Sequence, residues 1–203
     1  MGKNRWDELA DILVNYSTQV QKGDRVLVTM METDTFPLAR AVHASAVRAG
    51  AVAHIEFQSL LVQRDLMQFG VQEQFVHAHE MQSEGMNWAD VYIGLRGASN
   101  PHELSGIAEE TIMSFRRELG KVSAKRTKDT RWVLVRVPNS SFAQQAGMST
   151  DEMMDFFFDA TLLIGLRKPK GMMKYANSCS RRKKLESYQK IRTLVSQPKE
   201  ENM

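Results

Sequence analysis

The 203-residue chain is 42% hydrophobic and 25% charged, a composition typical of globular proteins and not of disordered or fibrous ones. No apolar run approaches the roughly 18 residues of a membrane span, and the charged first residues argue against a secretory signal peptide. The net charge of +3 is unevenly divided, because residues 166–203 carry a net +8 and residues 1–165 a net −5, so the basicity of the whole chain does not indicate nucleic-acid binding.

The first 57 residues predict a helix followed by a βαβ unit. Apolar spacing predicts a helix over residues 4–21, and the Val- and Leu-rich residues 25–30 predict a buried strand. Pro37 suits the first turn of the next helix, and Gly50 suits the left-handed position after its end. Residues 51–57 predict a second strand, so the two strands should be parallel.

The pattern continues along the chain. Residues 60–81 predict broken helical segments, residues 91–95 a third strand and residues 132–137 a fourth. Asn100 and Glu103 have the spacing of a helix cap before the stripe that begins at Ala108, and Ser149 and Glu152 that of a capping box before the last helix. The predicted fold class is α/β, with a mostly parallel sheet and helices on both faces, over residues 1–163. The Met and Phe residues of the last helix are core, or a face left exposed between domains.

Residues 164–203 predict a second, basic region with few apolar anchors and a weakly structured character. The abrupt change in charge and pattern after residue 163 also fits an out-of-frame or degenerate end. Four consecutive basic residues, Arg181 to Lys184, could contact phosphates. No aromatic residue is interleaved with them, so a solvated tail is favoured and nucleic acid is not an expected partner.

Few residues suggest metal chemistry. Cys179 is the sole cysteine, which rules out an internal disulfide, leaves no cysteine-based metal site and favours a reducing, cytoplasmic location. His77, His79 and Glu80 are the nearest approach to a metal motif, but on a helix the two histidines would diverge, which favours a solvated surface. His43 and His54 are predicted to serve in packing.

In open α/β sheets, ligands bind outside the carboxyl ends of the strands. Three groups of residues follow the predicted strands: Glu32, Asp34 and Thr35; Arg96, Gly97, Ser99 and Asn100; and Arg136. These loops either hold a substrate or border a neighbouring domain, or they are ordinary turns and caps, which is the commoner case. For Arg136 we expect a structural ion pair. The residues themselves therefore assign no catalytic residue, no metal ligand and no defined substrate-binding residue.

One stretch carries a family resemblance. Its features are Arg136-Val137-Pro138, Phe142-Ala143-Gln144, Ala146-Gly147-Met148-Ser149 and the run Phe156-Phe157-Phe158. Together with the front of the chain and residues 90–101, it resembles the thermophilic metallo-aminopeptidases, the aminopeptidase T, S and II group. The resemblance covers about residues 5–163.

The resemblance implies the amino-terminal domain of a metal-dependent aminopeptidase, which acts on peptides and forms a homodimer. Full-length members are roughly twice as long, and the ligands of their two divalent metal ions lie in the second half, so none maps onto this sequence. The chain alone is therefore expected to be inactive. The alternative is a free-standing, non-catalytic α/β module that binds a small ligand or a partner protein.

Overall fold

The computed structural model describes residues 4–165, which form a parallel sheet covered by helices. The strands of this part are β1 (Arg25–Met31), β2 (Val52–Gln58), β3 (Val91–Arg96) and β4 (Arg131–Arg136). The helices are α1 (Arg5–Asp11), α2 (Phe36–Arg48), α3 (Leu60–Phe69), α4 (Gln72–Ala78), α5 (Glu80–Trp88), α6 (Glu109–Asp129), α7 (Ser140–Ala146) and α8 (Thr150–Gly165).

The sheet has the order β2-β1-β3-β4, and every neighbouring pair of strands is parallel. Helices α1, α2 and α8 cover one face through a core that includes Leu38, Ile93 and Phe158. On the other face, α5 and α6 pack through Met86 and Val122. The predicted α/β fold with helices on both faces is confirmed, and the tail predicted for residues 164–203 lies almost wholly outside the described residues.

Local signals placed several elements correctly. Pro37 lies in the first turn of α2, and Gly50, at φ +83°, takes the left-handed conformation after its end. The capping box of α8 is present, since the Ser149 backbone N–H donates to Glu152 at 2.9 Å and the Glu152 N–H donates to the Ser149 hydroxyl at 3.2 Å. These caps fix where the helices begin and end.

Two expectations about local structure were wrong, and one helix was missed. The first helix is α-helical only to Asp11, continues as a π-helix over Ile12–Ser17 and stops short of residue 21. Asn100 caps no helix: it accepts from the His102 N–H at 3.0 Å, which forms a local turn, and α6 begins only at Glu109. Helix α7 was not predicted as an element, although Asn139 caps it and Gly147 ends it.

Asp90 joins the amino ends of three strands. Its carboxylate accepts from the backbone N–H and from the Nε and Nη2 atoms of Arg25 at 2.9–3.0 Å, and its carbonyl accepts from the Arg131 N–H. These bonds from Arg25, the guanidinium first and the backbone second, lower the pKa of Asp90 from its ordinary value of 3.8 to about 2.

Because the pKa is depressed in the folded chain, the carboxylate stabilises the fold above about pH 4, and this stabilisation is lost as the pH falls towards about 2. The pair is partly exposed, so we expect its contribution to stability to be small. Urea unfolding gives the free energy of unfolding at each pH. Between about pH 4 and pH 2, this free energy should fall less in Asp90→Asn than in the native chain. An identical dependence of the free energy of unfolding on pH in the two proteins would contradict the assigned role of Asp90.

Candidate functional site

A cavity of about 590 Å³ opens on the α5–α6 face of the sheet, and it extends to the carboxyl ends of the strands. That volume is within the range of small-molecule sites. The sheet contributes the cavity floor through Thr29, Tyr92, Gly94 and Arg96. Apolar side chains form much of the opposite wall: Met67, Met86, Phe115, Leu119 and Val122 from the helices and Leu104 from the loop before α6.

Two arginines end neighbouring strands at this cavity. Arg96 and Arg136 are partners in the β3–β4 register, so their side chains leave the same face of the sheet. Both are solvent-exposed, and both line the cavity. Arg136 forms no ion pair with any residue in 4–165, which corrects the expectation of a structural ion pair; its guanidinium lies 5.6 Å from the centre of the Phe142 ring.

A third arginine reaches the cavity from α6. The guanidinium of Arg126 lies 5.0 Å from the ring centre of Trp132 and 5.5 Å from that of Tyr92, and its buried Nε atom has no hydrogen-bond partner. Burial lowers the pKa of Arg126; the positive charge of Arg96 also lowers it, whereas Tyr92 raises it. The Tyr92 hydroxyl lies 2.6 Å from that of Thr29, so the cavity floor contains a fixed polar pair.

The sequence offered a signal for Arg126 that was not used. Phe115, Leu119 and Val122 lie on the inward face of α6, and Arg126 follows at the next position of the same 3–4 spacing. A cation that continues an apolar stripe points into the fold, with its stem along apolar surface. The three arginines therefore meet at one cavity although they are far apart in sequence.

The loop after β1 is structural. The Glu32 carboxylate accepts from the Ser59 hydroxyl at 3.1 Å and from the Leu60 N–H at 2.6 Å, which fixes the start of α3. Thr35 is fully buried, and its hydroxyl donates to the Glu32 carbonyl at 2.9 Å. Asp34 is exposed on the same short turn. The contacts of Glu32 and Thr35 are those of an ordinary turn and a helix cap, the alternative that the sequence favoured.

The loop after β3 is held by α7. The Asn139 side chain donates to the carbonyls of Gly97 and Ala98 at 3.0 and 3.1 Å and caps α7 by accepting from Phe142. A side chain at Gly97 would lie 2.5 Å from the methyl group of Thr35, so the close approach of the two loops requires glycine there. Ser99 and Asn100 are exposed beyond this contact.

The two neighbouring histidines do not converge. His77 is exposed and its Nδ1 lies 2.7 Å from a Glu80 oxygen, as a solvated surface predicts. His79 is buried, which contradicts that prediction: its Nδ1 lies 2.7 Å from the Phe75 carbonyl oxygen and its ring packs against Phe115. The chain turns between α4 and α5 at His79, so this side chain faces α6.

The remaining candidates add no metal site. His43 is half-buried, whereas His54 is exposed on β2, an edge strand, so the packing role predicted for His54 was wrong. Cys179 and the basic residues Arg181 to Lys184 lie outside the described residues. Within residues 4–165, no group of three or more His, Cys, Asp or Glu side chains is placed to hold a metal ion. No helix in that part is both long and apolar enough to cross a bilayer.

Comparison with known proteins gives one family. The sequence model described as thermophilic metalloprotease (M29) matches residues 3–194. The match extends past residue 163, where we expected the resemblance to end. No curated protein sequence matches.

Among solved structures, wild-type AmpT from Thermus thermophilus is similar, with a TM-score of 0.61 and 16% identity. The alignment covers 78% of this chain but 42% of the AmpT chain, and at this identity it shows the fold alone. Two others have a TM-score too low to support an inference. One is a putative LacI-family transcription regulation repressor from Corynebacterium glutamicum, with a TM-score of 0.36 and 14% identity; the alignment covers 81% of this chain and 57% of that chain. The other is CurK enoyl reductase, with a TM-score of 0.31 and 14% identity; the alignment covers 79% of this chain and 53% of that chain.

Proposed function

Because the chain belongs to the thermophilic metalloprotease (M29) family, we propose that it is the amino-terminal, non-catalytic domain of a metal-dependent aminopeptidase that removes amino-terminal residues from peptides. The observation that carries the proposal is the family match over residues 3–194. The similarity in fold to AmpT, of which the alignment covers less than half, supports it.

The residues of the described domain do not fit the two-metal centre of such an enzyme. Two-metal hydrolases need several carboxylate and imidazole ligands around ions about 3.5–4 Å apart. The His77 and His79 rings are engaged separately, one by Glu80 and the other by the Phe75 carbonyl. We therefore derive no catalytic step from residues 4–165. The proposed role of this domain is to border the substrate cleft of a cytoplasmic, homodimeric enzyme.

An exposed apolar surface supports the role as one domain of a larger enzyme. Large hydrophobic side chains of α3, of α5 and of the loop between α3 and α4 are more than half exposed: Leu61, Val62, Phe69, Val71 and Met81. Several large apolar side chains exposed on elements that follow one another along the chain favour a contact face. Here the proposed occupant is the catalytic half of the same enzyme.

Hydrolysis of an aminoacyl p-nitroanilide by the purified 203-residue chain tests the proposal. We expect no release of nitroaniline with added Zn²⁺, Co²⁺ or Mn²⁺, while an active metallo-aminopeptidase assayed in parallel shows that the substrate and metals are competent. Metal-dependent hydrolysis that co-purifies with the chain and disappears with a chelator would overturn it.

A second candidate function is a free-standing module that binds a small ligand. The cavity on the α5–α6 face, with Arg96, Arg126 and Arg136 at it, is the observation that favours this function. A binding module would show ligand affinity without any hydrolysis, so the two candidates differ in a measurable way.

A further inference from the structure

The charge around the cavity is not balanced. Among the described residues, the lining includes four arginines and two glutamates. The two glutamates have neutral partners, because Glu56 accepts from the Gln58 side chain at 3.1 Å and Glu103 accepts from that of Asn100 at 3.0 Å. Neither forms an ion pair with a lining arginine. The cavity therefore has an excess of positive charge that residues 4–165 leave uncompensated.

Placing Arg96 beside Arg136 is unfavourable by itself. Like charges directly opposite each other on neighbouring strands repel, and Arg126 adds a third positive charge to the lining of the same cavity. No ion pair or hydrogen bond joins the guanidinium of Arg96 or Arg136 to another described residue. An anion held between these groups would relieve the repulsion.

The three arginines differ in solvent exposure. Arg96 and Arg136 are exposed at the carboxyl ends of their strands, whereas Arg126 is half-buried against Tyr92 and Trp132. The unpartnered Nε of Arg126 is a buried donor that a ligand oxygen could satisfy. Arginine is suited to this task because its planar group presents paired N–H donors to carboxylate or phosphate oxygens.

The walls indicate the rest of the ligand. Met67, Met86, Phe115 and Leu119 supply apolar surface at the same cavity. A small ion such as phosphate would leave this part of the volume unused. Pockets that combine a few placed polar groups with apolar walls are typical of organic ligands.

We infer that this cavity binds a small organic anion, with its carboxylate or phosphate oxygens at Arg96, Arg126 and Arg136 and an apolar group against the helical wall. The inference specifies the ligand class for the second candidate function, and it does not depend on the aminopeptidase proposal. Its readout is binding, so its failure and the failure of the proposed function are separable.

Isothermal titration calorimetry with three matched probes tests the inference. N-acetylphenylalanine carries a carboxylate, phenyl phosphate carries a phosphate, and N-acetylphenylalaninamide is neutral and nearly isosteric with the first. We expect saturable binding of at least one anionic probe and weaker binding of the neutral amide. Binding of the carboxylate without phenyl phosphate would define the class as carboxylates, and the reverse result would define it as phosphates.

Variants locate the binding. Arg96→Gln and Arg136→Gln should each weaken binding of the anionic probe roughly tenfold, since each removes a charged hydrogen-bond donor. Arg117→Gln is the matched control, because Arg117 lies on α6, is exposed and does not line the cavity. Circular dichroism checks that each variant is folded. Because both arginines are exposed strand ends, folding should be retained.

Three results would overturn the inference. The first is equal affinity for N-acetylphenylalanine and its amide, which would show that charge is not recognised. The second is equal loss of binding in Arg117→Gln and the two cavity variants. The third is absence of saturable binding of either anionic probe up to about 10 mM, where even weak sites are occupied.

Discussion

Replacing Phe158 with alanine should lower the free energy of unfolding by about 3–5 kcal/mol, the usual cost of removing a buried aromatic ring. Phe158 is only 3% exposed. Its ring centre lies 4.6 Å from that of Trp6 in an edge-to-face arrangement and 5.4 Å from that of Phe157. The Arg5 guanidinium lies 4.5 Å from the same ring. The substitution therefore removes one of the contacts that join α8 to α1, while the Arg5–Asp155 ion pair and the Trp6–Phe157 contact remain.

Equilibrium unfolding in urea measures this loss, with Asp159→Ala as the control. Asp159 is the next residue of α8 and is exposed, so its replacement should change stability by less than about 0.5 kcal/mol. If Phe158→Ala were as stable as Asp159→Ala, α8 would not pack on α1, and the aromatic run would be a face left open between domains.

Ile93→Ala should destabilise the domain by about 2–5 kcal/mol. Ile93 is fully buried in β3, which lies between β1 and β4, and it belongs to the core under α1, α2 and α8. The loss has two parts. The first is the hydrophobic transfer free energy of the removed carbon atoms. The second is the cost of the cavity left behind, which the surrounding strands do not close.

Ile93→Val gives a graded control in the same unfolding experiment. It removes one methyl group, keeps the branched shape that strands favour, and should cost about 0.5–1.5 kcal/mol. Equal effects of the valine and alanine variants would mean that the cost does not follow the volume removed. The assignment of Ile93 to a close-packed core would then be wrong.

The elements that the sequence predicted well are those determined by local rules. Val- and Leu-rich runs placed all four strands to within about a residue, and apolar spacing placed α2 and α8. The Ser149–Glu152 box acts within four residues, so its prediction needed no knowledge of the rest of the chain. The parallel sheet followed from the alternation of strands and helices.

The errors arose where a turn residue or a distant contact overrides the local spacing. Asn100 and Glu103 have cap spacing, but Gly106 adopts φ +84° and three successive turns, at residues 100–103, 102–105 and 104–107, precede α6. His79 is buried because Phe115, 36 residues away, packs on it. The spacing of residues along the chain predicts neither the turns before α6 nor the contact between His79 and Phe115.

The candidate site was only partly predictable. Arg96 and Arg136 were found because they end strands, the general position of ligands in such sheets. Arg126 and Tyr92 were missed, since their meeting depends on how α6 crosses the sheet. The loop residues Glu32 and Thr35 met the same positional criterion but have structural contacts, so position alone did not separate the arginines of the proposed anion site from caps.

Residues 4–165 have the fold seen in AmpT, and we propose that they contain no two-metal centre. Calorimetric titration of the purified, tag-free chain with Zn²⁺ or Co²⁺ tests this proposal most directly. We expect no saturable high-affinity site for either ion. Binding of two ions per chain with a common high affinity would contradict it, because that is the stoichiometry of a two-metal hydrolase.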